Sequence, residues 1–345
     1  MLYIVGLYYA NWAVYASKHF PADLPPDVTH VFYAFMKPNP STGELDSTDP
    51  WADFQLPIED ATGAVAALMA LKYQRPALKV VLAIGGWGSS PEFRAVAKDP
   101  AKLRTFVSST TEKVRRLGFD GVDIDWEYPE TAKEADQLVS MLRQLRAALD
   151  AVDPKLSLSV AAPAGSDKIA VLDVPAMDQY LSFWNIMCYD FVGSGWSDRT
   201  GLHSNLYGHN GANGINGDMA VRLYRDRGAS VSKLVLGMPM FGRVFLKPAQ
   251  PILGSTFAGH LSEDASLMQF QDIDRAEEVY VEKSVGAYLY NNKTELLVTY
   301  DNEECLKRKA EYVRQNRLAG GFWWDSRGNR PRYTLVDAFV KVLRL

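Results

Sequence analysis

The sequence predicts a closed (β/α)8 barrel, the TIM-barrel architecture, with a small α+β insertion between its seventh and eighth strands. Three observations lead there. Short β-branched or aromatic runs recur eight times with amphipathic helical stretches between them, the pattern of a parallel sheet wrapped by helices. The chain has 345 residues, more than a usual single hydrophobic core but ordinary for one α/β barrel. Finally, a row of carboxyls falls at the carboxyl end of the fourth run, the end at which such barrels build their active sites.

Taken in order, the strands are expected at about 3–9, 28–35, 79–85, 119–126, 156–161, 183–189, 233–239 and 320–324. Intervening helices are clearest at 101–117 and 132–151. In the second, Ala135, Leu138, Val139, Leu142 and Leu145 recur at helical spacing while Lys133, Glu134, Arg143 and Arg146 fall on the opposite face. One interval breaks the rhythm. Between the seventh and eighth strands lie about 80 residues, where a helix and two short loops need about 35. Thr299 through Arg317 reads as the last helical region, and strand-like pieces at 242–246, 278–282, 286–290 and 295–299 make up the rest. The division expected is therefore a barrel from 1–242 and 299–345, with 243–298 as an inserted subdomain walling one side of a groove.

The decapeptide Asp120-Gly121-Val122-Asp123-Ile124-Asp125-Trp126-Glu127-Tyr128-Pro129 carries the most chemistry. Side chains alternate along a strand, so Asp123, Asp125 and Glu127 share one face and Val122, Ile124 and Trp126 the other. Like charges spaced roughly 6–7 Å apart resist full ionisation, and at least one group is expected to keep its proton above its ordinary pKa. That is how a general acid is made at neutral pH. A solvated edge strand would also alternate, but an opposite face of Val, Ile and Trp preceded by Leu117-Gly118-Phe119 argues for burial on both flanks.

Hydrophobic residues at 47% and charged residues at 23% exclude a largely disordered chain. Net charge is −4 without a basic stripe, so a nucleic-acid partner is not expected and a neutral substrate fits better. No apolar run reaches the roughly 18 residues of a membrane span, so no membrane partner is expected, and the chain is expected to be a monomer. Eight Trp and seventeen Tyr suit a cleft that stacks on sugar rings. Cys188 and Cys305 do not make a disulfide framework and read as buried free thiols. Met1 leads directly into the first strand, so either the protein stays in the cell or a leader has been removed. Asn292-Lys293-Thr294 is a glycosylation sequon of the kind that arises often by chance. None of the five histidines, His19, His30, His203, His209 and His260, forms a close ligand pair, so neither a metal nor another cofactor is expected.

Other strand ends add to the acidic row. Lys79 through Gly85 is followed by Gly86 and Trp87, with glycines that permit close backbone approach. Trp184-Asn185-Ile186-Met187-Cys188-Tyr189-Asp190 ends in groups able to hydrogen-bond. Gly237-Met238-Pro239-Met240-Phe241-Gly242-Arg243 places a cation past the seventh strand, and Gly320-Gly321-Phe322-Trp323-Trp324-Asp325 offers a flat ring at the eighth.

This set resembles glycoside hydrolase family 18, the chitinases and their lectin relatives. The likeness runs from Tyr8-Tyr9-Ala10-Asn11-Trp12 through the acidic row to the last tryptophans. It is most similar to the fungal branch with an α+β insertion, through Tyr15, Phe20-Pro21-Ala22-Asp23-Leu24, Thr29-His30-Val31 and Ala161-Ala162-Pro163-Ala164-Gly165. It implies a chitinase cutting β-1,4 bonds between N-acetylglucosamine units of chitin or chito-oligosaccharides, with the substrate's own acetamido group as nucleophile. By the same resemblance Glu127 is the general acid and base, Asp125 orients the acetamido nitrogen, Asp123 shares a proton with Asp125, and Tyr189 binds the acetamido oxygen. Tyr8, Phe35, Gly86, Trp87, Met187, Asp190, Met238, Arg243 and Trp324 line the substrate site. Trp323 competes with Trp324 for the floor because this segment is one residue shorter than the common pattern. Phe241 stands where many relatives have Tyr, Ala83 where some have Ser, and the insertion is shorter than in fungal relatives. A lectin that holds chitin without cutting it, and a hydrolase of the chitobiose core of N-glycans, are the alternatives the resemblance leaves.

Overall fold

The computed structural model describes residues 3–208, 214–262, 264–329 and 333–345; Met1, Leu2 and His209 lie outside them. Seven parallel strands come first: β1 (Ile4–Ala10), β2 (His30–Pro38), β3 (Lys79–Gly85), β4 (Gly121–Asp125), β5 (Ser157–Ala162), β6 (Phe183–Ile186) and β7 (Leu234–Pro239). Five further strands follow: β8 (Phe241–Leu246), β9 (Leu267–Gln269), β10 (Val279–Val281), β11 (Gly286–Asn291) and β12 (Leu296–Tyr300). The last, β13 (Gly320–Trp324), slots between β7 and β1. Because β1 also pairs with β2, the eight parallel strands close into a barrel.

Closure buries both faces of every strand. Outward residues such as Val122, Ile124, Trp126, Leu158, Val160, Trp184, Leu234 and Leu236 pack under the helices in one continuous core. Inward residues Tyr8, Phe32, Phe35, Val81, Ala83, Phe183, Val235 and Phe322 fill the barrel in a second cluster. Burying each large side chain is worth about 1.5–3 kcal/mol. The helix Pro100–Leu117 starts where the Asp99 carboxylate accepts from the amides of Ala101 and Lys102, and stops at Gly118, whose φ of 82° is left-handed. In Ala132–Val152, capped by Thr131, the residues Ala135, Leu138, Leu142 and Leu145 are buried as their spacing predicts, and Val139 is half-buried.

The five strands β8–β12 form an antiparallel sheet of order β9–β8–β12–β11–β10. β9 has no counterpart in the expected strand pieces: three half-buried residues held by pairing with Phe241–Arg243 give no local signal. β6 ends at Ile186, three residues short of the expected span, because the chain leaves the sheet and Asp190 adopts φ 60°. Both cysteines are buried free thiols. Among the described residues no helix is long and apolar enough to cross a membrane.

Candidate active site

The carboxyl ends of the barrel strands meet at one mouth, and β4 supplies its acids. Asp123 is fully buried. Its Oδ2 accepts from the Tyr8 hydroxyl at 2.6 Å, and its Oδ1 accepts from Ser159 Oγ at 2.6 Å and from Asn185 Nδ2 at 3.2 Å. Burial pushes the Asp123 carboxyl up to about 6, against the opposing pull of the Ser159, Tyr8 and Asn185 hydrogen bonds. Asp125, one row nearer the mouth, is also buried, and its Oδ1 has no hydrogen-bond partner in the protein. Burial first, then repulsion from Glu127 and Asp123, holds its pKa well above the usual carboxylate range. Crowding of like charges is thus the second cause, not the first.

Glu127 lies just past the strand, half-buried, and is hydrogen-bonded to the Tyr128 hydroxyl. Its backbone carbonyl accepts from Ser90 Oγ at 2.7 Å, and that hydroxyl accepts from Trp126 Nε1 at 3.1 Å. Trp126 in turn stacks on Phe93 with ring centroids 5.4 Å apart. The outward face of β4 therefore fixes the backbone from which Glu127 projects.

Neighbouring strand ends complete the mouth. Gly86, at φ 90°, donates its amide to the Asp125 carbonyl at 3.0 Å. A Cβ at Gly85 would stand 2.1 Å from that carbonyl oxygen, and one at Gly86 2.6 Å from the Phe35 ring, so both positions require glycine. Trp87 beside them is 69% exposed. Beyond β6, Met187 and Tyr189 are half-buried. Burial, then the charges of Asp125 and Glu127, raises the Tyr189 phenol well above its ordinary pKa. Asp190 receives a two-pronged grip from Arg243, Nε to Oδ1 at 2.7 Å and Nη2 to Oδ2 at 2.8 Å. Burial pushes the Asp190 carboxyl up, but the His203 and Arg243 contacts outweigh it and hold it at about 2. Arg243 is sandwiched between the rings of Trp196 and Phe241 at 5.0 and 5.2 Å. Across the mouth, Trp324 is half-buried and stacks on Phe35 at 5.6 Å, with Tyr8 at 5.5 Å and Trp12 at 6.2 Å.

An acidic row at the mouth of a parallel barrel, walled by aromatic rings, is an arrangement suited to sugar chemistry, and the family comparison decides which. The description Glycosyl hydrolases family 18 matches residues 4–328. The chain belongs to that family. It is a glycoside hydrolase. It is similar to sporulation-specific chitinase 2 of Saccharomyces cerevisiae, 34% identical over 98% of this chain and 77% of the relative. Among solved structures it is similar to the Ostrinia furnacalis Group IV chitinase, at 25% identity and a TM-score of 0.90 over the whole of both chains; that enzyme is also solved in complex with allosamidin. It is likewise similar to a Class V chitinase variant from Nicotiana tobaccum in complex with NAG4, at 25% identity and a TM-score of 0.86, covering 100% of this chain and 99% of that one.

In this family 18 hydrolase the strand geometry corrects one expected site residue. Met238 does not line the mouth. On β7, Leu234, Leu236 and Met238 share the outward face while Val235 points in, so Met238 is fully buried in the outer core beside Gly321. The same count separates the two tryptophans. Trp323 is fully buried outward against Phe339 at 5.2 Å, and Trp324 joins the inward cluster. Tyr8, Phe35, Gly86, Trp87, Met187, Asp190 and Arg243 do lie at or under the mouth. Expected roles omit Ser159 and Asn185, although a polar residue in the inward register of an apolar strand is a readable signal. They also omit Trp12, Trp196 and His203, which only the folded loops bring to the mouth.

Proposed function

We propose that this chain is a chitinase that hydrolyses β-1,4 linkages between N-acetylglucosamine units by a substrate-assisted, retaining mechanism. The observation that carries the reading is the graded acidic row: Asp123 pinned by three donors, Asp125 with a buried oxygen that no protein group engages, and Glu127 at the edge of the open mouth. Most retaining glycosidases need a second carboxylate as nucleophile, and family 18 is a recognised exception. Glu127 donates a proton to the glycosidic oxygen while the acetamido oxygen of the bound sugar bonds to C1, and the C1–O bond to the leaving chain breaks. Asp125 Oδ1 accepts from the acetamido N–H and stabilises the cationic oxazolinium. Tyr189 donates to the acetamido oxygen and holds it near attack distance. Glu127 then takes a proton from water as the water attacks C1 and the C1–O bond to the acetamido oxygen breaks, restoring the acetamide, and two inversions leave the β anomer.

Around this centre Trp324 serves as the floor beneath the sugar, and Phe35, Tyr8, Gly86, Trp87, Met187, Asp190 and Arg243 line the site. Residues 243–298 act as the inserted wall on the Arg243 side. Chito-oligosaccharides are the substrates tested first, because similar chitinases are solved with allosamidin and NAG4. A fluorogenic chitobioside and an N-acetylglucosamine hexamer test the reading together. The wild type is expected to release fluorophore and, from the hexamer, β-anomeric products first, while Glu127→Gln keeps binding and loses nearly all turnover. Undiminished turnover in that variant, or α-anomeric product, overturns the assignment; binding without turnover by the wild type makes the chain a lectin.

A further inference from the structure

The loop behind Asp190 returns through His203, Ser204 and Asn205, and all three are buried. His203 faces the site. Its Nδ1 lies 3.4 Å from the Asp190 amide and 3.5 Å from Asp190 Oδ1, its ring is 5.2 Å from that of Phe241, and its carbonyl accepts from the Phe191 amide at 3.0 Å. Ser204 faces the opposite way. Its hydroxyl donates to Asp301 Oδ1 at 3.0 Å, its carbonyl accepts from Lys309 Nζ at 2.7 Å, and Lys309 also pairs with Asp301 Oδ2. Asp301 follows β12, and Lys309 lies in the helix Glu303–Gln315.

Lys309 is 1% exposed and Asp301 1%. Removing two such charges from water costs several kcal/mol per ion, and an apolar pair of similar volume is often as stable or more so. Stability alone is therefore a poor reason for this pair. What distinguishes it is where its remaining hydrogen-bonding capacity goes: the ammonium and the carboxylate both engage Ser204, one residue from the imidazole beside Asp190.

We propose that the buried Lys309–Asp301 pair is a positioning device for the active site: by gripping Ser204 from behind, it sets His203 beside Asp190 and so fixes the Asp190–Arg243 fork next to Tyr189. This rests on the reading of the mouth as the substrate site. Neither Lys309 nor Asp301 touches substrate; both act through the loop. Ser204 has its hydroxyl and carbonyl held by the same pair, so losing the pair frees the loop on one side only. The Asp190 and Phe191 amides, next to His203, then feel the change before the barrel does. Because a displacement of about 1 Å at a positioning group can cost on the order of 100-fold in rate, a partial release of this loop is expected to cost about tenfold.

Two variants test this: Ser204→Ala, which deletes one hydroxyl and leaves the ion pair, and Lys309→Met with Asp301→Asn, which removes both charges together. Each is measured for thermal midpoint, for kcat and KM on chito-oligosaccharides, and for amide hydrogen exchange at Asp190 and Phe191. The double variant is expected to unfold near the wild-type temperature, to lose about tenfold in kcat/KM, and to exchange those two amides faster. Added to His203→Ala, it should cost nothing further, since both changes release the same loop. Wild-type kcat/KM with unchanged exchange, or losses that multiply with His203→Ala, overturns the proposal. If the double variant does not fold, Ser204→Ala decides by the same exchange and coupling measurements. A wild type that cuts no chito-oligosaccharide refutes the functional reading instead, and the exchange data still judge the positioning device.

Discussion

Replacing Tyr8 by Phe removes one hydroxyl from Asp123, the deepest acid of the row, and leaves the ring in its stack on Phe32, 4.7 Å between centroids. In the wild type the Asp123 carboxyl is pushed up to about 6 by burial, so the folded protein holds a proton that the unfolded chain has lost. The sign follows. A raised folded-state pKa gives stability that is fully present below the unfolded value near 3.8 and is lost as pH rises through 6, about 3 kcal/mol in all. The Tyr8 bond lowers this loss, because a hydrogen bond to a carboxylate is worth about 1.5–3 kcal/mol and one to the neutral acid about 0.5–1.5. Deleting it therefore costs about 1 kcal/mol at pH 5 and about 2 kcal/mol at pH 8, and moves the Asp123 titration up by about one unit. Urea unfolding followed by tryptophan fluorescence at pH 5, 6, 7 and 8 reads this directly. The gap between variant and wild type should widen between pH 6 and 7. Two curves that stay parallel across that range refute the reasoning, because Tyr8 would then not discriminate between the two states of Asp123.

Trp324→Ala should act mainly on KM for chito-oligosaccharides, raising it about tenfold in line with a stacking contact of ~1.5 kcal/mol, with a smaller loss of thermal midpoint from its contacts with Phe35, Tyr8 and Trp12. Trp323→Ala should do the reverse, costing about 3–5 kcal/mol of stability as a core truncation; equal effects on KM from both would put the floor assignment in error. Burial lowers the His30 imidazole to about 4, with Asp120 opposing and Lys79 adding to the shift. Its contribution to stability is therefore full above pH 6.5 and falls away toward pH 4, by up to about 3 kcal/mol. His30→Asn should flatten that acid limb; an unchanged limb between pH 7 and 4 would mean that other groups set it.

Much of the barrel is legible in the chain because several of its strands are apolar on both faces and its helices on one. The run Val80–Gly85, without a polar residue, reads as a strand, and the cap at Asp99 with the stop at Gly118 brackets the helix Pro100–Leu117 without tertiary help. β9 is not legible, since three residues that pair with Phe241–Arg243 are recruited by a distant strand. Met238 shows a different limit. Resemblance places it in the site, yet counting by twos along Leu234, Val235, Leu236, Gly237 and Met238 sends it outward, and that count needs only the order of the residues. Ser159 and Asn185 obey the same count and fall inward onto Asp123.

The acidic row carries the same lesson into electrostatics. Spacing along one strand shows three carboxyls on one face and makes repulsion the obvious cause of a retained proton. In the folded barrel, burial comes first for both aspartates, and repulsion from Glu127 and Asp123 adds to it at Asp125. Opposing burial at Asp123 are Tyr8, Ser159 and Asn185, which arrive from β1, β5 and β6 once the barrel closes. The donors they bring hold Asp123 at about 6 against its burial, while Asp125 has no partner on Oδ1 and is raised well above the usual carboxylate range by burial, then by Glu127 and Asp123. Two residues of the same type, two positions apart on one strand, therefore differ because of what three other strands place beside them. That difference leaves the deeper one held by three donors and the outer one with a buried oxygen that no protein group engages.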